Sequence, residues 1–321
     1  MFKSLKWIQQ HLVLSILIGM VVGVIIGSLF DTSFLRGSVT MLSFFMVYPM
    51  MVTLNYKSLF EKGNNKLQLV TQLINFIYLP ALAYLFGILF FRDNIYFRLG
   101  ILLIALLPTS GMTVSWTVMA KGNVKEAIRM IVIGLILGGL LTPFYINFML
   151  GESVNIPFGD IVWQILMIVF IPMGLGFITQ TLLKKRYGAD TFKVRIKPIF
   201  PVFSTLAVVL LITIVMSLRA QMLLSNPSVI LEILFPIIGG YFIMIVTIHY
   251  LGKWLFNESD RIALINGTMI RSLSVALAIA LAVFQDEGAE VALIIAIAYI
   301  VQVQLAAWYV KFNIKLQQRN A

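Results

Sequence analysis

The sequence contains no cysteine, so disulfide bonds, thiolate metal sites and cysteine nucleophiles are excluded. Its two histidines, His11 and His249, are too few to build a zinc or haem centre from protein ligands. Charged residues make up only 12% of the 321 residues, whereas 60% are hydrophobic. A soluble protein needs more polar surface than this composition provides. We therefore expect no cofactor, no metal and no separate soluble domain.

Apolar runs of about twenty residues recur along the whole chain, which is typical of membrane-spanning helices. They are too long and too continuous for the alternating strands of a barrel. The sequence predicts an all-α polytopic membrane protein, a single membrane domain over 1–321, whose first span is retained rather than cleaved as a signal peptide. The ten predicted spans are 11–30, 36–55, 68–91, 97–120, 126–149, 160–183, 199–218, 229–256, 261–284 and 289–311.

The lysines and arginines are distributed unevenly between the two membrane faces. Nineteen of the 24 lie at the termini or in even-numbered loops, and only Arg36, Arg92, Arg98 and Arg219 lie on the opposite face. By the positive-inside rule, both termini are expected in the cytoplasm, with the chain in the cell's inner membrane. This bias also explains the net charge of +11 without a nucleic-acid partner. The remaining cation is Arg271, in the middle of the ninth span.

Five spans in each half would place the two halves upside down, as inverted repeats at about 11–149 and 160–311. Transporters of this plan bind their substrates where helices break near the midplane. We predict breaks at Pro108 and Gly111 in the fourth span and at Gly267 in the ninth. The candidate substrate-binding residues around these breaks and in the third span are Thr109, Ser110, Thr113, Asn266, Thr268, Arg271, Ser272, Ser274 and Gln72. Alternatively, the small residues serve close helix packing.

Other polar residues at a suitable depth are Asn75 in the third span and Gln302 and Gln304 in the tenth. Each of them could bind a solute or form a hydrogen bond between helices. Arg271 has no acidic partner inside the spans around it, and a charge at this depth costs about 2.5–3.5 kcal/mol. It could therefore bind helix-terminal carbonyls in a structural role, or it could contribute to function.

The segment PTSGMTVSWTVMAKGN at 108–123 resembles the helix crossover and exit of the bile acid:sodium symporter superfamily, which includes the arsenite permeases. Trp116, the exit 120–123 and the alternating alanines of 275–280 are similar to the arsenite-permease branch. The likeness covers essentially the whole chain in length, span count and orientation. It implies a panel of spans 1, 2, 6 and 7 and a core of spans 3–5 and 8–10, in which the broken fourth and ninth helices cross. Transport would follow from movement of one against the other.

The sequence departs from both branches of this superfamily at residues that carry function there. Thr109 stands about where arsenite permeases have a cysteine, and Ser274 where they have a glutamate. Sodium-coupled members use a Glu-x-Gly-x-Gln-Asn motif, whose named positions are Gly267, Met269, Arg271 and Ser272 here. The carboxylate that would neutralise sodium is therefore absent, and an arginine replaces the glutamine.

The expected function is secondary transport of a small anionic solute without the usual sodium site. Arg271 would occupy the former cation position as a fixed positive charge and help to bind the anion, together with half-helix amino termini. The alternatives are arsenite or antimonite efflux, sodium-coupled organic anion symport, and a channel. An intramembrane enzyme is not expected, because the spans contain no paired aspartates, Ser-His pair or HExxH motif. The expected partners are the solute and the lipid bilayer, with the oligomeric state left open.

Overall fold

The computed structural model describes residues 11–151, 158–284 and 287–320. Lys3 and Lys6, two of the nineteen cations that predict a cytoplasmic location of the termini, lie outside these residues. Within the described part there is no strand, and helices form almost all of the structure. The helices are α1 (Leu12–Leu29), α2 (Arg36–Val52), α3 (Asn65–Phe90), α4 (Ile95–Leu106), α5 (Gly111–Met119), α6 (Val124–Leu150), α7 (Phe158–Tyr187), α8 (Ala189–Leu218), α9 (Ala220–Ser225), α10 (Ser228–Leu255), α11 (Glu258–Met269), α12 (Leu273–Val283) and α13 (Gly288–Asn320).

Eight helices of the described chain are long and apolar enough to cross a bilayer, namely α1, α2 with its preceding 3-10 turn, α3, α6, α7, α8, α10 and α13. They coincide with eight of the ten predicted spans. The predicted fourth and ninth spans each consist of two shorter helices, α4 with α5 and α11 with α12. The prediction of an all-helical polytopic membrane protein is thus confirmed, and the ten-span inverted repeat stays a prediction.

Asparagine side chains fix where several helices of the chain begin. Asn64, Asn94 and Asn257 each accept a hydrogen bond from the backbone N–H three residues later, at 3.1, 3.0 and 2.9 Å. Each side chain satisfies one of the N–H groups that lack a partner at a helix start. These three caps set the first turns of α3, α4 and α11.

The described chain divides into two compact units. The first unit comprises the described parts of Met1–Leu54, Leu150–Leu231 and Ser274–Ala296. In it, α1 packs closely on α8, because a Cβ atom built on Gly23 would lie 2.3 Å from the Thr213 carbonyl oxygen, and one on Gly27 would lie 2.0 Å from that of Ser217. Small residues at a four-residue spacing are the usual means of bringing membrane helices this close.

The second unit comprises the described parts of Asn55–Met149, Glu232–Leu273 and Ile297–Ala321. A buried polar network joins the starts of α3, α6 and α11. Glu126 accepts hydrogen bonds from Asn64 N–H at 2.8 Å and Gln68 at 2.7 Å, and it pairs with Arg129 at 3.1 Å. Asp260 in turn accepts from the Asn64 side chain at 2.9 Å. These bonds hold together the helix ends that lie on one side of the candidate site.

Candidate functional site around Arg271

Two non-helical backbone segments meet inside the second unit. One, at 107–110, separates α4 from α5, and the other, at 270–272, separates α11 from α12. They pair as an isolated antiparallel bridge between Pro108 and Arg271, and Ser272 N–H donates to Leu107 O at 2.8 Å. Backbone groups that leave a helix at membrane depth need such partners, because lipid offers none. The pairing therefore allows both spans to be interrupted at the same place.

The residues after Pro108 form local hydrogen bonds that shape the break in the fourth span. Thr109 has a left-handed backbone with φ +59°, which a β-branched residue rarely adopts, and its hydroxyl lies 2.7 Å from Pro108 O. Ser110 caps α5 by accepting from Met112 N–H at 3.3 Å, and Thr113 Oγ1 accepts from Ser110 N–H at 3.2 Å. The three predicted hydroxyls thus stabilise the turn from one helix into the next.

The guanidinium of Arg271 lies among backbone carbonyls at the ends of α4 and α11. Its Nε donates to Ile104 O at 3.0 Å, Nη2 donates to Ala105 O, and Nη1 donates to Thr268 O at 3.0 Å. Nη1 also donates to Asn75 Oδ1 at 2.6 Å. The side chain is buried, with 2% of its surface exposed. We call this guanidinium and its four oxygen acceptors the Arg271 site.

The sequence explains why these carbonyls need a donor from elsewhere. A helical carbonyl normally accepts from the N–H four residues later. For Ile104 that residue is Pro108, which has no N–H, and for Ala105 it is Thr109, whose backbone is left-handed. For Thr268 it is Ser272, whose N–H donates across the bridge instead. The guanidinium therefore supplies the hydrogen bonds that the two helix breaks remove.

A second set of side chains holds Arg271 in place. Asn75 donates to Gly267 O at 3.2 Å while it accepts from the guanidinium, and it lies in a π-helical turn of α3 at Ile74–Tyr78. Gln302 accepts from the backbone N–H of Arg271 at 2.7 Å and from the Tyr241 hydroxyl at 2.9 Å. Every one of these polar atoms is buried and paired, which makes the arrangement rigid.

The charge of this site is not balanced by an acidic side chain. In the part of the chain that the structure describes, no carboxylate lies within ion-pairing distance of Arg271. Its ligands are neutral carbonyl and amide oxygens, which are the groups that also coordinate small metal cations. Such dipoles stabilise a positive charge without cancelling it, so the Arg271 site carries a net charge of about +1 in a buried environment.

The structure places Gly267 differently from the break predicted there. Gly267 lies inside α11, and the interruption falls three residues later, at 270–272. A Cβ atom on Gly267 would lie 2.4 Å from the sulfur of Met130, so a larger residue at this position would force the Met130 side chain to shift. Gly111, by contrast, is the first residue of α5, immediately after the break that was predicted there.

Some of the remaining candidate residues have a polar contact to their side chain, and others have none among the described residues. Thr268 Oγ1 donates to Leu264 O at 2.9 Å, and Ser274, which belongs to the first unit, has its Oγ 3.6 Å from Met50 Sδ. The side-chain amides of Asn266 and Gln72 have no hydrogen-bond partner among the described residues, and Asn266 is fully buried. Buried amides normally have partners, so these two are the candidate residues with hydrogen-bonding capacity left over.

Two of the polar residues that the sequence places at a suitable depth, Asn75 and Gln302, contact Arg271, whereas Tyr241 was not predicted. The only signal for Tyr241 is a hydroxyl within the otherwise apolar middle of α10. The acceptors of Ile104 and Ala105 could not be identified by residue type, because they are backbone atoms. Their signal is indirect and consists of a proline four residues after Ile104.

In the described residues, eight helices are long and apolar enough to cross a bilayer, and two helix breaks pair around a buried charge. These are features of a polytopic membrane transporter. The sequence profile of the sodium bile acid symporter family matches residues 39–226, and the chain belongs to this family. The family resemblance inferred from the sequence is thereby confirmed. The protein is a membrane transporter and not an enzyme.

Similar proteins include arsenical-resistance proteins. The chain is 23% identical to that of Alkaliphilus metalliredigens, over 94% of this chain and 92% of the relative. It is 22% identical to that of Corynebacterium glutamicum, over 63% of this chain and 58% of the relative. An uncharacterized protein of Bacillus subtilis, YbaS, is 24% identical over 42% of this chain and 44% of its own length.

Proposed function

We propose that this protein is a secondary transporter of a small anionic solute in the cell's inner membrane, and that Arg271 takes the place of a coupling cation. The observation that carries the proposal is the Arg271 site itself. Four neutral oxygens surround a buried guanidinium, and no described carboxylate pairs with it. A permanent positive charge in that position leaves no room for a sodium ion on the same oxygens.

The charge supports an anionic solute through its field rather than through direct contact. Four hydrogen bonds of the guanidinium go to protein oxygens, so most of its donors are occupied. Its field is nevertheless weakly screened inside the membrane, where two unit charges 4 Å apart interact by about 4 kcal/mol at an effective dielectric constant of 20. The amino terminus of α5, at Ser110 and Gly111, adds a partial positive charge of the same sign.

The proposal includes the ten-span plan with both termini in the cytoplasm. Its support is the position of the helix breaks, in the fourth and the ninth predicted spans, together with the excess of lysine and arginine in the even-numbered loops. The division into a panel of spans 1, 2, 6 and 7 and a core of spans 3–5 and 8–10 belongs to the same proposal. Cysteine labelling of single residues in the loops, in a chain that contains no native cysteine, tests the orientation directly.

The function is tested by a thermal-shift screen of the purified protein with organic anions, arsenate, arsenite and sodium, followed by uptake into vesicles. A bound ligand raises the melting temperature by mass action. We expect an anion to stabilise the protein equally well in sodium and in choline buffers. The Arg271→Gln variant should lose that response or gain a dependence on sodium. Stabilisation by sodium alone in the unmodified protein would contradict the proposal.

A matched control distinguishes the effect of the buried charge of Arg271 from the effect of the protein's overall charge. Arg92 is exposed and lies in the connection between α3 and α4. Arg92→Gln removes the same charge from the second unit without touching the Arg271 site, so the anion response should be unchanged. An equal loss in both variants would assign the effect to the overall charge of the protein.

A second candidate function is export of arsenite or antimonite, and a single observation favours it. The chain is 23% identical to an arsenical-resistance protein over 94% of its length. Thiolate binding of trivalent arsenic is excluded, because the chain has no cysteine. Neutral As(OH)3 could instead be held by hydroxyl and amide groups, of which Asn266 and Gln72 lack partners among the described residues. Arsenite tolerance conferred on an arsenite-sensitive bacterium, and lost in Asn266→Leu, would support this function over the anion carrier.

A further inference from the structure

A dense group of cations occupies the last turn of α7 and the first turns of α8, two helices of the first unit that are joined at Gly188. Six basic residues fall within fourteen positions, with Asp190 as the single acidic residue among them. We call this group the basic turn, and its cations are Lys184, Lys185, Arg186, Lys193, Arg195 and Lys197. Because it connects two spans, the basic turn lies at the level of the lipid headgroups whichever way the chain is oriented.

The backbone of the basic turn brings its two arms together. α7 ends at Tyr187, and Gly188 reverses the chain with φ +83°, a conformation that favours glycine. Phe192 is buried against the end of α7, where the ammonium of Lys184 lies 5.3 Å from the centre of its ring. The aromatic side chain thus fixes α8 against α7, and Lys184 is held above it.

Three lysines, Lys184, Lys193 and Lys197, lie on the two arms that this packing joins. Lys193 and Lys197 are four residues apart and share one face of α8, and both Lys184 and Lys193 repel the half-buried charge of Lys197. Like charges at this spacing destabilise a helix. In the described chain, Lys193, Arg195 and Lys197 form no ion pair with a carboxylate, and neither does Asp190 with a cation. An anion seated among them would remove the repulsion.

Exposed apolar side chains alternate with these cations. Val194 is 71% exposed, Leu182 60% and Tyr187 47%. In water this exposure would be unfavourable, whereas at the boundary of headgroups and acyl chains such side chains are stabilised. Cations with interleaved apolar residues are the features that bind the headgroup of an anionic lipid and its first methylene groups together. A soluble anion would use only the cations.

We propose that the basic turn is a binding site for the phosphate of an anionic phospholipid, independent of the transported solute and of the Arg271 site. Lys193, Arg195 and Lys197 contact the phosphate, and Val194 and Tyr187 insert beside the acyl chains. The lipid relieves the repulsion among the lysines and so fixes the reversal between α7 and α8. An anionic lipid then stabilises the whole first unit, in which both helices pack.

Binding is measured on the full-length protein in detergent, by native mass spectrometry and by melting temperature. The probes are phosphatidylglycerol, phosphatidylcholine with the same acyl chains, and inorganic phosphate. Each cation near a headgroup is worth about a fivefold change in affinity, so K193Q/R195Q/K197Q should bind phosphatidylglycerol about a hundredfold more weakly. Phosphatidylcholine and inorganic phosphate should raise the melting temperature of the unmodified protein by much less than phosphatidylglycerol does.

The control removes three exposed cations that lie outside the basic turn, in the variant K57Q/K62Q/K125Q. It should bind phosphatidylglycerol within about threefold of the unmodified protein. The charge-preserving variant K193R/K197R should also retain binding, and R195Q alone should lose about fivefold, which keeps the test open if the triple variant does not fold. Equal losses in both triple variants, or saturation of the site by inorganic phosphate, would overturn the proposal.

Discussion

Replacing Arg271 with alanine tests whether this side chain acts as a tethered cation. The substitution leaves three buried carbonyls, of Ile104, Ala105 and Thr268, without the donor that the guanidinium supplies. A buried acceptor without a partner costs about 1–3 kcal/mol, so the loss amounts to about 3–9 kcal/mol. Removing a charge from the middle of the membrane returns about 2.5–3.5 kcal/mol. We therefore expect Arg271→Ala to lower the free energy of unfolding by about 3 kcal/mol.

The same substitution leaves an oxygen-lined site that a free cation can enter. A cation at a hundred times its dissociation constant stabilises the folded state by about 2.7 kcal/mol, which is close to the expected loss. Guanidinium at low millimolar concentration and sodium should therefore restore much of the stability of the variant. Choline at the same ionic strength should not, because its bulky trimethylammonium group has no N–H and is too large to approach the carbonyl oxygens.

The assay is unfolding in detergent micelles, followed by the fluorescence of the five tryptophans. Arg92→Ala serves as the control, since exposed substitutions usually change stability by less than about 0.5 kcal/mol. The unmodified protein should respond to none of the three cations. An Arg271→Ala variant as stable as the unmodified protein, or one restored equally by choline, would refute the tethered-cation reasoning.

Three further predictions follow from the packing and the charges of the two units. Gly27→Ala should destabilise the protein by about 1–3 kcal/mol, because its Cβ would meet the α8 backbone, whereas Gly174→Ala, with no atom within 4 Å, should be neutral or slightly stabilising in the same thermal scan. Asn75→Asp should place a carboxylate beside the guanidinium and abolish the anion-induced melting shift while the protein stays folded. Glu126→Ala should cost about 3–5 kcal/mol by leaving Arg129 buried without its partner, and Arg129→Ala in addition should recover part of that loss in chemical denaturation.

Hydropathy predicted most of the fold because the bilayer sets the length of an apolar helix. The eight continuous spans could be predicted from hydropathy alone. Pro108 indicated the first break, since a proline removes an N–H whatever surrounds it. Gly267 did not mark the second, because glycine serves both chain reversal and close packing, and here it lies inside α11 with the Met130 side chain packed against it. Only the three-dimensional contact distinguishes these two uses.

The candidate site was less accessible to sequence reasoning than the spans. A buried arginine is conspicuous in an apolar helix, so Arg271 was identified at once. Its partners are mostly carbonyl oxygens, which every residue has, and no residue type distinguishes those of Ile104 and Ala105. The contacts of Arg271 describe a structural role, and its role in binding an anion stays a prediction.

Because the positive charge of Arg271 is covalently attached to the chain, it affects the free energy that can drive transport. An ion that binds on one side of a membrane and leaves on the other delivers the free energy of its gradient, but the charge of Arg271 cannot leave the chain. A monoanion carried alone would therefore move according to its own electrochemical potential. At a membrane potential of 100 mV, negative inside, that amounts to about 2.3 kcal/mol in the outward direction. Such a carrier would come to rest with the anion about fifty-fold more concentrated outside the cell, without any co-transported ion.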